Sequence, residues 1–308
     1  MRGGRLIDTP VIGRVAMRIF VINLKRSADR KAYITRQLED LNVACEFVDA
    51  IDGQELSDDE IKTHGVDAFP AWPSFNQRQL RKGEIGCLLS HLGIYRRMIA
   101  EDMEWACILE DDCGFEKDFG GVLRNARLGI SDYELLLLGH SGQYRDSARG
   151  AACSSKKEPF FASYRIAKPV ECPHGTYAYI IKQSAARKLL QYACPLRFPM
   201  DYLIGHAPAI GLKLRVLTPP IVIHNGPRFA SAVYAPGSDR RLYVRKARRI
   251  RDFLGCRYPI LRKIKKICLL PFVMLRLKLR MTGILDGDSY VEKRFFQQKS
   301  PAKPAIPQ

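Results

Sequence analysis

Three consecutive carboxylates, Glu110, Asp111 and Asp112, follow directly on the run Trp105-Ala106-Cys107-Ile108-Leu109. A mostly apolar run with no polar alternation reads as a fully buried strand of an α/β sheet. Like charges crowded against a core repel one another and lose hydration, so without a ligand they cost stability. A divalent cation removes the conflict, because Mg²⁺ and Mn²⁺ prefer carboxylate oxygens. Ligands of open α/β sheets also gather beyond the carboxyl ends of strands. The competing reading of an isolated Glu-Asp-Asp is a solvated acidic turn.

Other residues with chemical potential lie in similar places. Asn23 stands near the end of the run RIFVINL, and Lys25, Arg26 and Arg30 follow it, where cationic forks could meet a pyrophosphate or ribose; a basic surface turn is the alternative. Glu84, Ser90 and His91 share one apolar stretch and read as a polar cluster facing a site, although a hydrogen-bonded core histidine is common. Asp201 follows Phe198-Pro199-Met200, at the first turn of a short helix, where a carboxylate could equally serve only the helix dipole. His224 closes the strand-like run ending IVIH, as a metal ligand or a plain strand-end histidine.

The elements that would position these groups can be read from periodicity. Residues 18–24 are β-branched and aromatic, hence a buried strand. A helix follows with Ile34, Leu38 and Leu41 on one face, capped by Ser27 or Asp29. Residues 45–48 form a second strand. No Gly-x-Gly-x-x-Gly joins the first strand to its helix, which argues against a dinucleotide fold. Residues 50–82, with Phe69, Trp72 and Phe75, are expected to form a functional loop or lid. Ile85, Leu88, Leu89, Leu92 and Tyr95 mark a core-facing helix. A helix is expected over 115–128, a strand over 133–139, and a polar, acceptor-facing excursion over 140–170. A strand over 175–181, a helix through Leu190, and strands over 213–217 and 221–223 complete the pattern.

At 308 residues, 46% hydrophobic and 27% charged, the chain has an ordinary globular composition, but its net charge of +18 calls for an anionic partner. Residues 240–280 hold fifteen Lys and Arg against Asp252 alone, so +14 is concentrated there. Leu261, Ile264, Ile267 and Cys268 interleave with the bases, which suggests an amphipathic surface element; a solvated basic extension is the alternative. Nucleic acid is not expected as the partner, because no recognised nucleic-acid fold motif is present and that reading leaves the acidic turn and the His91 helix without a purpose. Nine scattered cysteines without a Cys-x-x-Cys pair fit reduced thiols in the cytosol. Neither a secretory signal nor a membrane span is evident, and residues 1–16 are expected to be an extension of little structural role.

Taken together and in order, FVINLKRSADR, GEIGCLLSHLGIY, CILEDD, GTYAYIIKQSAARKLL, PMDYLI and IVIHN resemble glycosyltransferase family 25. The resemblance spans roughly residues 17–225. It implies a GT-A type α/β fold, a mixed sheet flanked by helices that binds a nucleotide sugar, here over 17–235; the basic amphipathic region, 236–308, is read from its charge and lies beyond the resemblance. It also implies transfer of a hexose, commonly galactose from UDP-galactose, with inversion. The acceptor would be a saccharide of lipooligosaccharide or lipopolysaccharide type, lipid-linked at the cytoplasmic face of the inner membrane, with 240–280 on its anionic surface. Glu110-Asp111-Asp112 then resembles the acidic Mn²⁺ or Mg²⁺ motif, with Glu in place of the usual first Asp. Asp112 is the foremost metal ligand, Glu110 the second and His224 a third, while Asp111 is placed on the ribose. Asn23, Lys25, Arg26, Arg30, Glu84, Ser90 and His91 fall to the nucleotide sugar, and Asp201 is the candidate base. A catalytically inactive relative would carry the same blocks.

Overall fold

The computed structural model describes residues 17–64, 80–127, 132–142, 148–193, 196, 198–225 and 229. Residues 1–16, the aromatics of 65–79 and the basic tail lie outside them. The chain runs β1 (Arg18–Asn23), α1 (Ala28–Asp40), β2 (Glu46–Asp49), α2 (Asp58–Thr63), α3 (Lys82–Ala100), β3 (Trp105–Glu110), β4 (Cys113–Phe115) and α4 (Phe119–Arg127). It continues with β5 (Leu135–Ser141), β6 (Cys153–Phe161), β7 (Tyr164–Pro169), β8 (His174–Lys182), α5 (Gln183–Ala193), α6 (Met200–Gly205), β9 (Leu214–Thr218) and β10 (Val222–His224).

An eight-stranded sheet in the order β2-β1-β3-β8-β5-β9-β7-β6 forms the centre of the molecule. β2, β1 and β3 are parallel, with helices in the connections between them. β8 enters antiparallel between β3 and β5, so the sheet is mixed. Side chains alternate across it, and this alternation builds two separate cores. Phe20, Ile22, Ala106 and Ile108 pack with α3, α5 and α6. Ile19, Val21, Cys107 and Leu109 pack on the opposite face with Ile34 and Leu38 of α1 and with α4. The result is the mixed sheet flanked by helices expected of a GT-A-like glycosyltransferase.

Two local expectations are corrected. The helix expected over 115–128 begins only at Phe119, because Cys113–Phe115 pair with β10 in a small second sheet. That pairing joins segments about a hundred positions apart, which no local periodicity encodes. The excursion expected over 140–170 is largely the β6–β7 hairpin, which extends the main sheet. β6 reads as polar because it is an edge strand whose Lys156, Lys157 and Glu158 face solvent, a device that discourages further strand pairing.

The loop after β2 is pressed onto the start of α3. A Cβ on Gly86 would lie 2.5 Å from the Ile51 carbonyl oxygen, and one on Gly53 only 1.7 Å from that of Lys82. Glycine at both positions permits this contact, and it sets the axis of the helix that carries His91.

Candidate active site

The three carboxylates at the end of β3 point three ways. Glu110 shares the face of Ile108, toward α3, and Asp111 shares the face of Leu109, toward α1. Glu110 Oε1 accepts a hydrogen bond from Thr176 Oγ1 at 2.8 Å and lies 3.5 Å from His91 Nε2. Asp111 is buried, its Oδ1 receiving Arg30 Nη1 at 2.7 Å and its Oδ2 receiving Asn23 Nδ2 at 2.7 Å. Asp112, just past the strand, turns toward β10: its Oδ2 lies 3.2 Å from His224 Nε2 and 3.4 Å from Arg30 Nη1. Its Oδ1 is buried without a hydrogen-bond partner among the described residues.

The β4–β10 sheet makes the Asp112–His224 approach possible. Its register sets His224 opposite Cys113, and Asn225 N donates to the Asp112 carbonyl at 2.9 Å. Asn225 Nδ2 in turn donates to Tyr33 Oη of α1 at 2.6 Å, which ties the strand end to the helix bearing Arg30. Burial disfavours the charged form of Asp112, but His224 and Arg30 outweigh it and hold the carboxyl below its ordinary range. Its hydrogen bond with Asp112 raises His224 against the opposing effect of burial. A buried carboxylate oxygen without a partner, beside an imidazole, is a donor pair suited to a divalent cation such as Mn²⁺.

The nucleotide-sugar set from the sequence divides. Asn23 and Arg30 hold Asp111, the carboxylate expected on the ribose, through one hydrogen bond to each of its oxygens. Burial raises the Asp111 carboxyl, and Arg30 and Asn23 offset that only in part. Glu84 Oε2 caps α3 by accepting from Arg81 N at 2.8 Å. Ser90 Oγ donates to the Gly86 carbonyl at 2.7 Å and accepts from Ile51 N at 2.9 Å, serving the loop contact. Lys25 and Arg26 are exposed and pair with Asp49 at 3.3 Å and Asp52 at 2.8 Å. His91 is fully buried, with Nδ1 2.8 Å from Tyr179 Oη, which is itself 2.8 Å from Tyr95 Oη. Its placement on the core face of α3 gives Glu110 a neighbour that the sequence assigned to the donor.

Asp201 opens α6, and its Oδ1 accepts from Tyr202 N at 2.8 Å. Burial raises its carboxyl, His174 works against that, and the charges of Glu110 and Glu84 add to it. The candidate base therefore shares a neighbourhood with the acidic turn, although 90 residues of chain separate them. Cys87 on α3 belongs there too: burial raises its thiol, as do the charges of Glu110, Asp201, Asp112 and Glu84. Cys87 and Thr176 were missed from sequence. For Cys87 the available signal was its spacing of four from His91; Thr176 carried none.

Comparison with known proteins bears on the family. A family model described as Glycosyltransferase family 25 (LPS biosynthesis protein) matches residues 16–204. Procollagen galactosyltransferase 2 of Homo sapiens is 31% identical over 179 residues, covering 56% of this chain and 27% of that protein. A glycosyltransferase 25 family member of Aedes aegypti is 32% identical over 178 residues, covering 56% of this chain and 28% of its own length. Inactive glycosyltransferase 25 family member 3 of Homo sapiens is 30% identical over 190 residues, 59% of this chain and 30% of that protein. The match thus spans less than a third of the length of these curated relatives. With more than half of its residues inside the family match, and with the acidic turn at the end of a central strand, the chain belongs to glycosyltransferase family 25.

Proposed function

We propose that this chain transfers a hexose, galactose in first place, from a UDP-sugar to a saccharide acceptor with inversion. The observation that carries the reading is the buried Oδ1 of Asp112, without a hydrogen-bond partner among the described residues, on a carboxylate whose other oxygen meets His224, with Asp201 near enough to the turn to feel the charge of Glu110. Asp112 and His224 would hold a divalent cation, whose chemistry is to stabilise the charge that develops on the diphosphate as it leaves. Arg30 and Asn23 keep Asp111 in place and so fix the turn that presents Asp112. Asp201 takes the proton of the acceptor hydroxyl while its oxygen bonds to the anomeric carbon and the bond from that carbon to the diphosphate breaks. A carboxyl raised by burial is a stronger base than a solvated one, which suits this role. Galactose as the sugar is supported by the procollagen galactosyltransferases among the relatives. A lipid-linked lipooligosaccharide acceptor at the cytoplasmic face is supported by the family description and by the charge of 240–280.

The test is to incubate the full chain with a panel of UDP-sugars and Mn²⁺ or Mg²⁺ and measure donor hydrolysis and transfer. Metal-dependent turnover is expected, and Asp112→Asn should lose it together with metal-dependent donor binding while keeping the native fold. Turnover at the parent rate in that variant, with an unchanged metal requirement, would remove Asp112 from the metal site. An active panel result would separate the chain from its inactive relatives; failure with every donor would place it among them.

A further inference from the structure

Cys87 and His91 lie one turn apart on α3 and project from the same face, toward the end of β3 where Glu110 stands. A thiol sulfur, an imidazole nitrogen and a carboxylate oxygen of these three residues lie within 4.8 Å of one another. His91 Nε2 is buried and has no hydrogen-bond partner among the described residues. Its 3.5 Å separation from Glu110 Oε1 is longer than the ~2.7–3.2 Å of an ordinary N–H···O bond. The same separation is close to the ~3.3 Å edge between two donors that each sit ~2.0–2.1 Å from a tetrahedral ion. The ring is held from behind, Nδ1 against Tyr179 Oη at 2.8 Å, and that hydroxyl against Tyr95 Oη. A buried partner on the second ring nitrogen is the usual support of a metal-binding histidine.

The donor types decide which ion would fit. Sulfur, imidazole and one carboxylate favour zinc, whereas Mg²⁺ and Mn²⁺ favour oxygen. Cys87 and Glu110 each keep some solvent exposure, whereas His91 is closed off. We propose that Cys87, His91 and Glu110 form a site for a zinc-class divalent ion, separate from the Asp112–His224 pair. Cys87 binds as thiolate, its proton passing to solvent, Glu110 as carboxylate and His91 through Nε2. Three protein donors leave the fourth position to water. This site does not depend on the transferase reading, since it is defined by binding alone.

Cobalt is the direct probe. Titrating Co²⁺ into the full chain should produce the visible bands of a tetrahedral ion and a thiolate-to-metal charge-transfer band, both abolished by Zn²⁺. Cys87→Ser should lose the charge-transfer band and bind Zn²⁺ about 100-fold more weakly or worse, beyond the loss typical of an outer support residue. Asp112→Asn should keep both. In the unaltered chain, Zn²⁺ should protect Cys87 from maleimide alkylation, mapped by mass spectrometry, while leaving Cys153 reactive; this readout needs no variant to fold. A cobalt spectrum without the thiolate band, a band that survives Cys87→Ser, or Cys87 alkylation indifferent to Zn²⁺ would each overturn the site and leave a plain buried histidine.

Discussion

Arg30 and Asn23 hold both oxygens of Asp111, so deleting that carboxylate leaves a guanidinium buried without its closest partner. Breaking a buried ion pair from one side typically costs about 3–5 kcal/mol. An inactive Asp111 variant would therefore report on the fold of the turn and say little about chemistry. Asp112 and Asp201 are the informative positions. Asp201→Asn removes the base while keeping the acceptor of the Tyr202 N–H bond. Its turnover should fall by about two to four orders of magnitude, with donor affinity little changed. Steady-state kinetics and donor titration check this together. Weaker donor binding with turnover intact would make Asp201 a binding residue and move the base elsewhere.

At the scale of elements, short strands and loops are held by single buried side chains. His140 on β5 is fully buried between two backbone groups: its Nε2 donates to the Leu217 carbonyl at 2.8 Å, and its Nδ1 accepts from Ala151 N at 2.8 Å. It thereby clamps β9 and the segment before β6, and Gly150, at φ +66°, leaves room for its ring. Burial pushes the imidazole down from 6.5 to about 4. Because the folded value is depressed, the unfolded chain binds the proton first as pH falls. The stabilisation is complete above about pH 6.5 and is lost toward pH 4. His140→Gln preserves a donor and an acceptor without the titration. Between pH 6.5 and 4.5 the parent should lose about 2 kcal/mol more than the variant. Urea unfolding at both pH values measures this, and equal acid slopes would mean that His140 takes up its proton in the folded protein as readily as in the unfolded chain, with no depression by burial.

For the whole molecule, the charge is divided unevenly between the sheet domain and the tail. Residues 240–280 supply +14 of +18. No helix among the described residues is long and apolar enough to cross a membrane. The bases of the tail would supply a different attachment, worth roughly 1 kcal/mol for each Lys or Arg at an anionic surface and weakened by salt. A third of its bases would suffice for peripheral binding. Removing 240–308 should release the protein from anionic vesicles, spare transfer to a soluble acceptor analogue and depress transfer to a lipid-borne one. Vesicle sedimentation at low and high salt reads this directly. Binding indifferent to both truncation and salt would exclude the tail as the attachment.

The sequence by itself determined the strands β1, β3, β5 and β8, the helix α3, and a run of carboxylates at a strand's carboxyl end. These features are local: a buried strand or an amphipathic helix declares itself by period and composition within a dozen residues. It also carried the ordered blocks that mark the family. Only the tertiary structure decided what each carboxylate faces. Alternation across β3 sent Glu110 to α3 and Asp111 to α1, and the partner of Asp111 is Arg30, 81 positions away. β10 had to pair with β4 before His224 could reach Asp112, and α6 had to pack beside β8 before Asp201 could feel Glu110. Such meetings follow from which surfaces bury each other across the sheet. No short window of residues records that choice, which is why the site's chemistry was legible in its residue types and its geometry was not.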